Sequence, residues 1–149
     1  MMEGVQDTFE RAVQLEQENL NTYDIYSAIT THFGLKQLLA SLMEEARSHL
    51  EELEEFRGKM DESLFDETKA ASIGRLESTE VEYAFDASME YIDFLRMIFT
   101  REQALASVYD VLSDVAADQD TAHFFKRLAE EGRKHVWLAK DRYDLESLK

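Results

Sequence analysis

Along the first part of the chain the apolar positions fall three and four residues apart, at Phe9, Val13, Leu20 and Tyr23, with Ser27 in register. That spacing is the inward stripe of an amphipathic helix. It predicts a helix over about residues 8–32, ended by Gly34 as a left-handed C-terminal residue. A second stripe, Leu35, Leu38, Leu42, Ala46, His49, Leu53 and Phe56, predicts an antiparallel helix over about 35–57 that Gly58 stops. From about 59 to 87 the periodicity weakens around Asp61, Ser63, Asp66, Gly74 and Ser78, as in a long crossover carrying one or two short helical pieces. Ile92, Leu95, Phe99, Ala106, Tyr109 and Ser113 mark a third helix that starts near Ser88, with an earlier start offered by the capping pair Thr79 and Glu82. Phe124, Phe125, Leu128, Gly132, His135, Leu138 and Ala139 mark a fourth over about 119–145.

Charged and polar groups sit inside these stripes. Glu16 and Glu102 lie on the inward faces of the first and third helices, His49 and His135 on those of the second and fourth. A carboxylate on a buried face is costly unless a cation or a hydrogen-bond donor meets it. The four positions also repeat: His49 and His135 are 86 positions apart (135 − 49), and the same offset pairs Glu16 with Glu102, Tyr23 with Tyr109 and Glu45 with Glu131. The stretch Leu42, Met43, Glu44, Glu45, Ala46, Arg47, Ser48, His49 returns as Leu128, Ala129, Glu130, Glu131, Gly132, Arg133, Lys134, His135. The expectation is one all-α domain over residues 1–149, a four-helix bundle built from two duplicated helical hairpins.

Composition narrows the chemistry. There is no proline and no cysteine among the 149 residues, so a metal site must use Glu, Asp and His. The formal charge of −16 repels nucleic-acid backbones and anionic membranes and attracts cations. No apolar run approaches spanning length and the N-terminus has no signal-like pattern, which suits a soluble, cytoplasmic protein.

The spacing of Glu16 to Tyr23 and of Glu102 to Tyr109, followed by the Leu, Glu, Glu and His signatures, resembles the rubrerythrin-like branch of the ferritin-like superfamily. The resemblance covers nearly the whole chain. It implies a ferritin-like bundle with a long crossover between helices two and three, a non-haem iron centre, redox chemistry on peroxide or dioxygen, and homodimers. The rubredoxin-like module that supplies the family's electrons needs cysteines, so a separate electron-donor protein is implied. Residue by residue, Glu16, Glu102, His49 and His135 match the family's metal ligands. The departure is at the bridging glutamate of the family's E-x-x-H motif, where this chain has Ala46 and Gly132.

Two divalent ions carry +4, and Glu16 with Glu102 supply only −2. Glu45 and Glu131, about 40° from the histidine direction on each helix, are the carboxylates that would complete a di-iron site by turning inward. Alternatively Glu16, Glu102, His49 and His135 hold a single ion, which suits iron, zinc or manganese. In a third reading the bundle has lost its redox centre and serves as a structural or protein-binding subunit, with Glu16 and Glu102 bonded directly to His49 and His135. Tyr23 and Tyr109 are core residues whose hydroxyls need partners, and Arg47 and Arg133 suit pairing with nearby carboxylates. His32 and His123 fall at helix ends, and Trp137 suits packing or a subunit contact.

Overall fold

A computed structural model describes residues 3–71 and 85–149, and every regular element among them is helical. The long helices are α1 (Glu3–Ile29), α2 (Phe33–Lys59), α4 (Tyr91–Asp114) and α5 (Gln119–Ser147). A 3-10 turn (Glu62–Leu64) and the one-turn α3 (Glu67–Ala70) are the short pieces expected after α2. The third long helix starts at Tyr91, a little after Ser88, and the alternative start at Thr79 and Glu82 lies outside the described residues. No described helix is long and apolar enough to cross a membrane.

The glycines predicted to end helices do not. The first helix stops at Ile29, where β-branched Ile29, Thr30 and Thr31 follow one another and the Thr30 hydroxyl accepts from the His32 N–H (3.3 Å). Gly34 lies inside the first turn of α2, where an added Cβ would meet only the movable end of the Arg142 side chain. Gly58 lies in the last turn of α2, which runs on to Lys59 before Met60 turns extended. No described glycine has a positive φ, so none is used for the left-handed conformation.

The helices α1 and α2 pack as one pair, α4 and α5 as another, with α1 against α4. Phe9, Phe56 and Phe125 meet at one end of the bundle, which brings together the start of α1, the end of α2 and the start of α5. At the other end His32 stacks on Tyr91 with ring centroids 4.1 Å apart. Phe56, near the end of α2, thus lies in the phenylalanine group, and Tyr91, which starts α4, lies beside His32. On leaving α2 it is pinned to the α4–α5 turn by Asp66 N–H to Val115 O and Ala117 N–H to Leu64 O, both 2.8 Å.

The inward stripes are buried largely as their spacing predicts, but the core is in two pieces. Phe9, Leu53, Phe56, Leu112, Phe125 and Leu128 belong to one cluster; Tyr23, Leu35, Leu42, Phe94, Leu95 and Ala139 belong to the other. Glu16, His49, Glu102 and His135 are all buried in neither cluster and occupy the stretch of each helix between them. Leu138, expected inward, is 47% exposed because it flanks α5 on the side facing α2. There Leu38, Ser41, Leu138 and Leu145 line an open groove. Trp137 also faces outward.

Asp118 caps α5 by accepting from the Thr121 N–H (2.8 Å) and hydroxyl (3.0 Å). Asp118→Ala should cost about 1 kcal/mol, read as a melting temperature lower by roughly 2–4 °C.

Candidate metal centre

Each of the four long helices contributes a buried acid or imidazole at mid-height, Glu16, His49, Glu102 and His135, and burial of a charge requires a partner. The partners come mostly from other helices. Tyr109 on α4 donates to Glu16 Oε2 on α1 (2.6 Å), and Tyr23 on α1 donates to Glu102 Oε1 on α4 (2.9 Å). Between α2 and α5, His49 Nε2 donates to Glu131 Oε1 (2.9 Å) and His135 Nδ1 donates to Glu45 Oε2 (2.8 Å). Each of these residue pairs has its counterpart 86 positions along the chain, although the two histidines use opposite ring nitrogens, Nε2 in His49 and Nδ1 in His135.

The counterparts fail at one point. His49 Nδ1 donates to Glu16 Oε2 at 2.6 Å, so this imidazole lies between two carboxylates. His135 makes no such bond to Glu102; its Nε2 lies 3.3 Å from the Ser41 hydroxyl instead. The residue 86 positions after Ser41 is Arg127, which reaches back to Glu131 (3.1 Å) and across to Glu52. The self-paired arrangement drawn from the sequence thus holds for Glu16 with His49 and not for Glu102 with His135.

Electrostatics follow from this geometry. Burial pushes the His49 imidazole down, but the hydrogen bond and charge of Glu16, with the bond to Glu131, outweigh it and hold it at about 9. His135 is likewise raised: burial lowers it, and the bond and charge of Glu45 prevail. Burial, then the charge of Glu16, push Glu102 up to about 8 against the opposing bond from Tyr23. Burial raises Glu131, but its contacts with His49 and Arg127 leave it below the usual carboxylate range. Both tyrosines, raised well above 10 by burial and the neighbouring carboxylates, stay neutral donors.

Among the described residues one set of three donors converges enough to hold an ion. Ligand atoms of Glu45, His49 and Glu131 all lie within 4.8 Å of one another. Donor atoms bound to one ion at about 2.0–2.2 Å stand roughly 3 Å apart, so small side-chain rotations would close the set. The side chains of Glu45 and Glu131 are 18% and 33% exposed, and both reach across the α2–α5 seam. Glu102 stands apart with Tyr23, its Oε2 3.8 Å from where a Cβ of Gly132 would be.

One polar pair beside the centre escaped the sequence reading. Buried Arg101 donates through Nε to Asn19 Oδ1 (2.8 Å) and lies 3.4 Å from Glu18, while Asn19 Nδ2 is buried with no hydrogen-bond partner among the described residues. The signal was available, since Asn19 falls on the stripe of Glu16 and Tyr23. It was obscured because the positions 86 along and 86 back from this pair are Leu105 and Leu15. Arg133 pairs with Asp110 (3.2 Å), whereas Arg47 makes no ion pair with a described residue. His32 and His123 are exposed at helix ends.

No protein-family model matches this chain, and neither does a curated protein or a solved structure.

The raised groups set the pH response of the metal-free protein. His49, held at about 9 against 6.5, contributes stability that is complete below the unfolded value and lost as pH rises through 9. Glu102, held at about 8 against 4.5, acts in the same direction, because its folded form also binds the proton more tightly. Thermal melts should therefore show a lower melting temperature at pH 9 than at pH 6. Gly132→Ala, whose Cβ would make only ordinary contacts, should raise stability by up to about 1 kcal/mol, as denaturant titration would show.

Proposed function

We propose that this chain is a metal-binding helical bundle of the rubrerythrin-like kind, assembled from two duplicated hairpins joined by a long crossover. The observation that carries the reading is the convergence of Glu45, His49 and Glu131, set beside buried Glu16, Glu102 and His135. Carboxylate and imidazole donors suit iron, manganese or zinc, and a chain of formal charge −16 draws divalent cations to itself. The ends of α2 and α4 support the crossover, since they lie at opposite ends of the bundle.

A bound iron would supply electrons to peroxide or dioxygen, drawn from a separate donor protein. The chain's own residues do the rest. Glu16 fixes the His49 ring through Nδ1, Tyr109 and Tyr23 hold Glu16 and Glu102 as neutral donors, and apolar clusters flank the layer on either side. The same reading places the protein in the cytoplasm as a homodimer.

A second reading is favoured by the completeness of the network: all six acidic and imidazole groups already have a hydrogen-bond partner within the chain. On that reading the bundle is a structural or protein-binding subunit whose polar layer only sets helix register.

Elemental analysis after anaerobic Fe(II) loading, paired with melting curves, separates the two. A metal protein retains iron through gel filtration. At free metal about 100-fold above Kd, it should melt roughly 5–10 °C above its chelator-treated form. A self-paired core carries no metal and melts at the same temperature with and without chelator.

A further inference from the structure

The directions of the His49 ring nitrogens decide which carboxylates could share an ion with it. Nδ1 donates to Glu16 at 2.6 Å, so the nitrogen left for a metal is Nε2, which faces Glu131 across the α2–α5 seam. The two nitrogens of an imidazole point away from each other, and an ion on Nε2 lies on the side of the ring opposite Glu16. Glu16 Oε2 is already shared between His49 and Tyr109. Neither nitrogen of His135 faces Glu102: Nδ1 meets Glu45 and Nε2 meets Ser41. The four residues Glu16, His49, Glu102 and His135 therefore do not converge on a common point, whereas Glu45, His49 and Glu131 do.

We infer that the chain holds one divalent first-row ion in the α2–α5 seam, ligated by Glu45, His49 Nε2 and Glu131, with Glu16 acting behind His49 as the carboxylate that orients the ring. The inference rests on the metal-binding reading above and specifies its site. Charge agrees with a single ion, because Glu45 and Glu131 together carry −2 against +2. Several neighbouring contacts support these three side chains directly or through Glu16. Tyr109 holds Glu16, Arg127 holds Glu131 at 3.1 Å, and His135, itself beside Ser41, donates to Glu45. Carboxylate to imidazole to metal is the usual way a histidine ligand is oriented. With two carboxylates and one imidazole, the site suits Mn(II), Fe(II), Co(II) or Zn(II) and leaves coordination positions for water or an oxygen-bearing substrate. Glu131, a third exposed, gives the site a face toward solvent.

The test is a titration of the metal-stripped, full-length protein with Co(II), followed by visible absorption and calorimetry, which give the number of ions and Kd. One ion per chain is expected. Glu45→Gln and Glu131→Gln should each weaken Kd beyond the roughly 10–100-fold range of a residue that only orients a ligand. Glu16→Gln should fall within that range and still bind one ion, and Glu102→Gln should leave Kd within about twofold of the parent. Both seam carboxylates are partly exposed, so their variants should melt, metal-free, within a few degrees of the parent, and that melt is measured alongside. Two ions per chain, or a Glu102→Gln loss equal to that of Glu131→Gln, overturns the seam site and leaves the metal-binding reading standing. Failure of the parent to bind Co(II), Fe(II) or Zn(II) overturns both.

Discussion

The structure depends on how a helical bundle accommodates acidic side chains at the middle of its core. A carboxylate taken out of water is strongly disfavoured unless donors replace the lost hydration. Here the donors are two tyrosines and two histidines, each on a different helix from the acid it serves. The network ties α1 to α2, α1 to α4 and α2 to α5. The network makes no bond between α4 and α5, where Gly132 and Ala106 leave room beneath the Glu102 carboxylate. The apolar side chains are consequently displaced to the two ends, where they form separate clusters that carry the hydrophobic stabilisation.

Burial patterns were legible in the sequence because helix periodicity is a local property of the chain. The stripes identified Glu16, His49, Glu102 and His135 as interior groups, and all four are buried. Ring orientation was not legible. Whether His49 turns Nδ1 or Nε2 toward Glu16 depends on the relative height of two helices, which no spacing along one helix encodes. Glu45 and Glu131 were ambiguous for the same reason: about 40° from the histidine direction, they lie on a flank, and only the proximity of α2 and α5 decides that they reach across. The helix ends were not legible from glycine, because no described glycine takes the left-handed conformation that would end a helix.

Glu16, Tyr23, Glu45 and His49 each recur 86 positions along the chain, while several of their neighbours differ. Ser41 stands where the other half has Arg127, Ala46 where it has Gly132, and Asn19 with Arg101 where it has Leu105 with Leu15. Physically these changes break the equivalence of the two histidines. His49 is enclosed between two carboxylates with its side chain 3% exposed, while His135 faces a hydroxyl on one side and is 10% exposed.

The most direct measurement is an anomalous difference map from crystals of the protein grown with Mn(II), collected at a wavelength where manganese scatters anomalously. The account predicts one peak between α2 and α5, within bonding distance of His49 Nε2, Glu45 and Glu131, with Glu16 on the far side of the ring. A peak on the bundle axis between Glu16 and Glu102 would contradict the assigned ligands. No peak at manganese concentrations far above those at which carboxylate–histidine sites fill would contradict the claim that this buried layer exists to hold a metal.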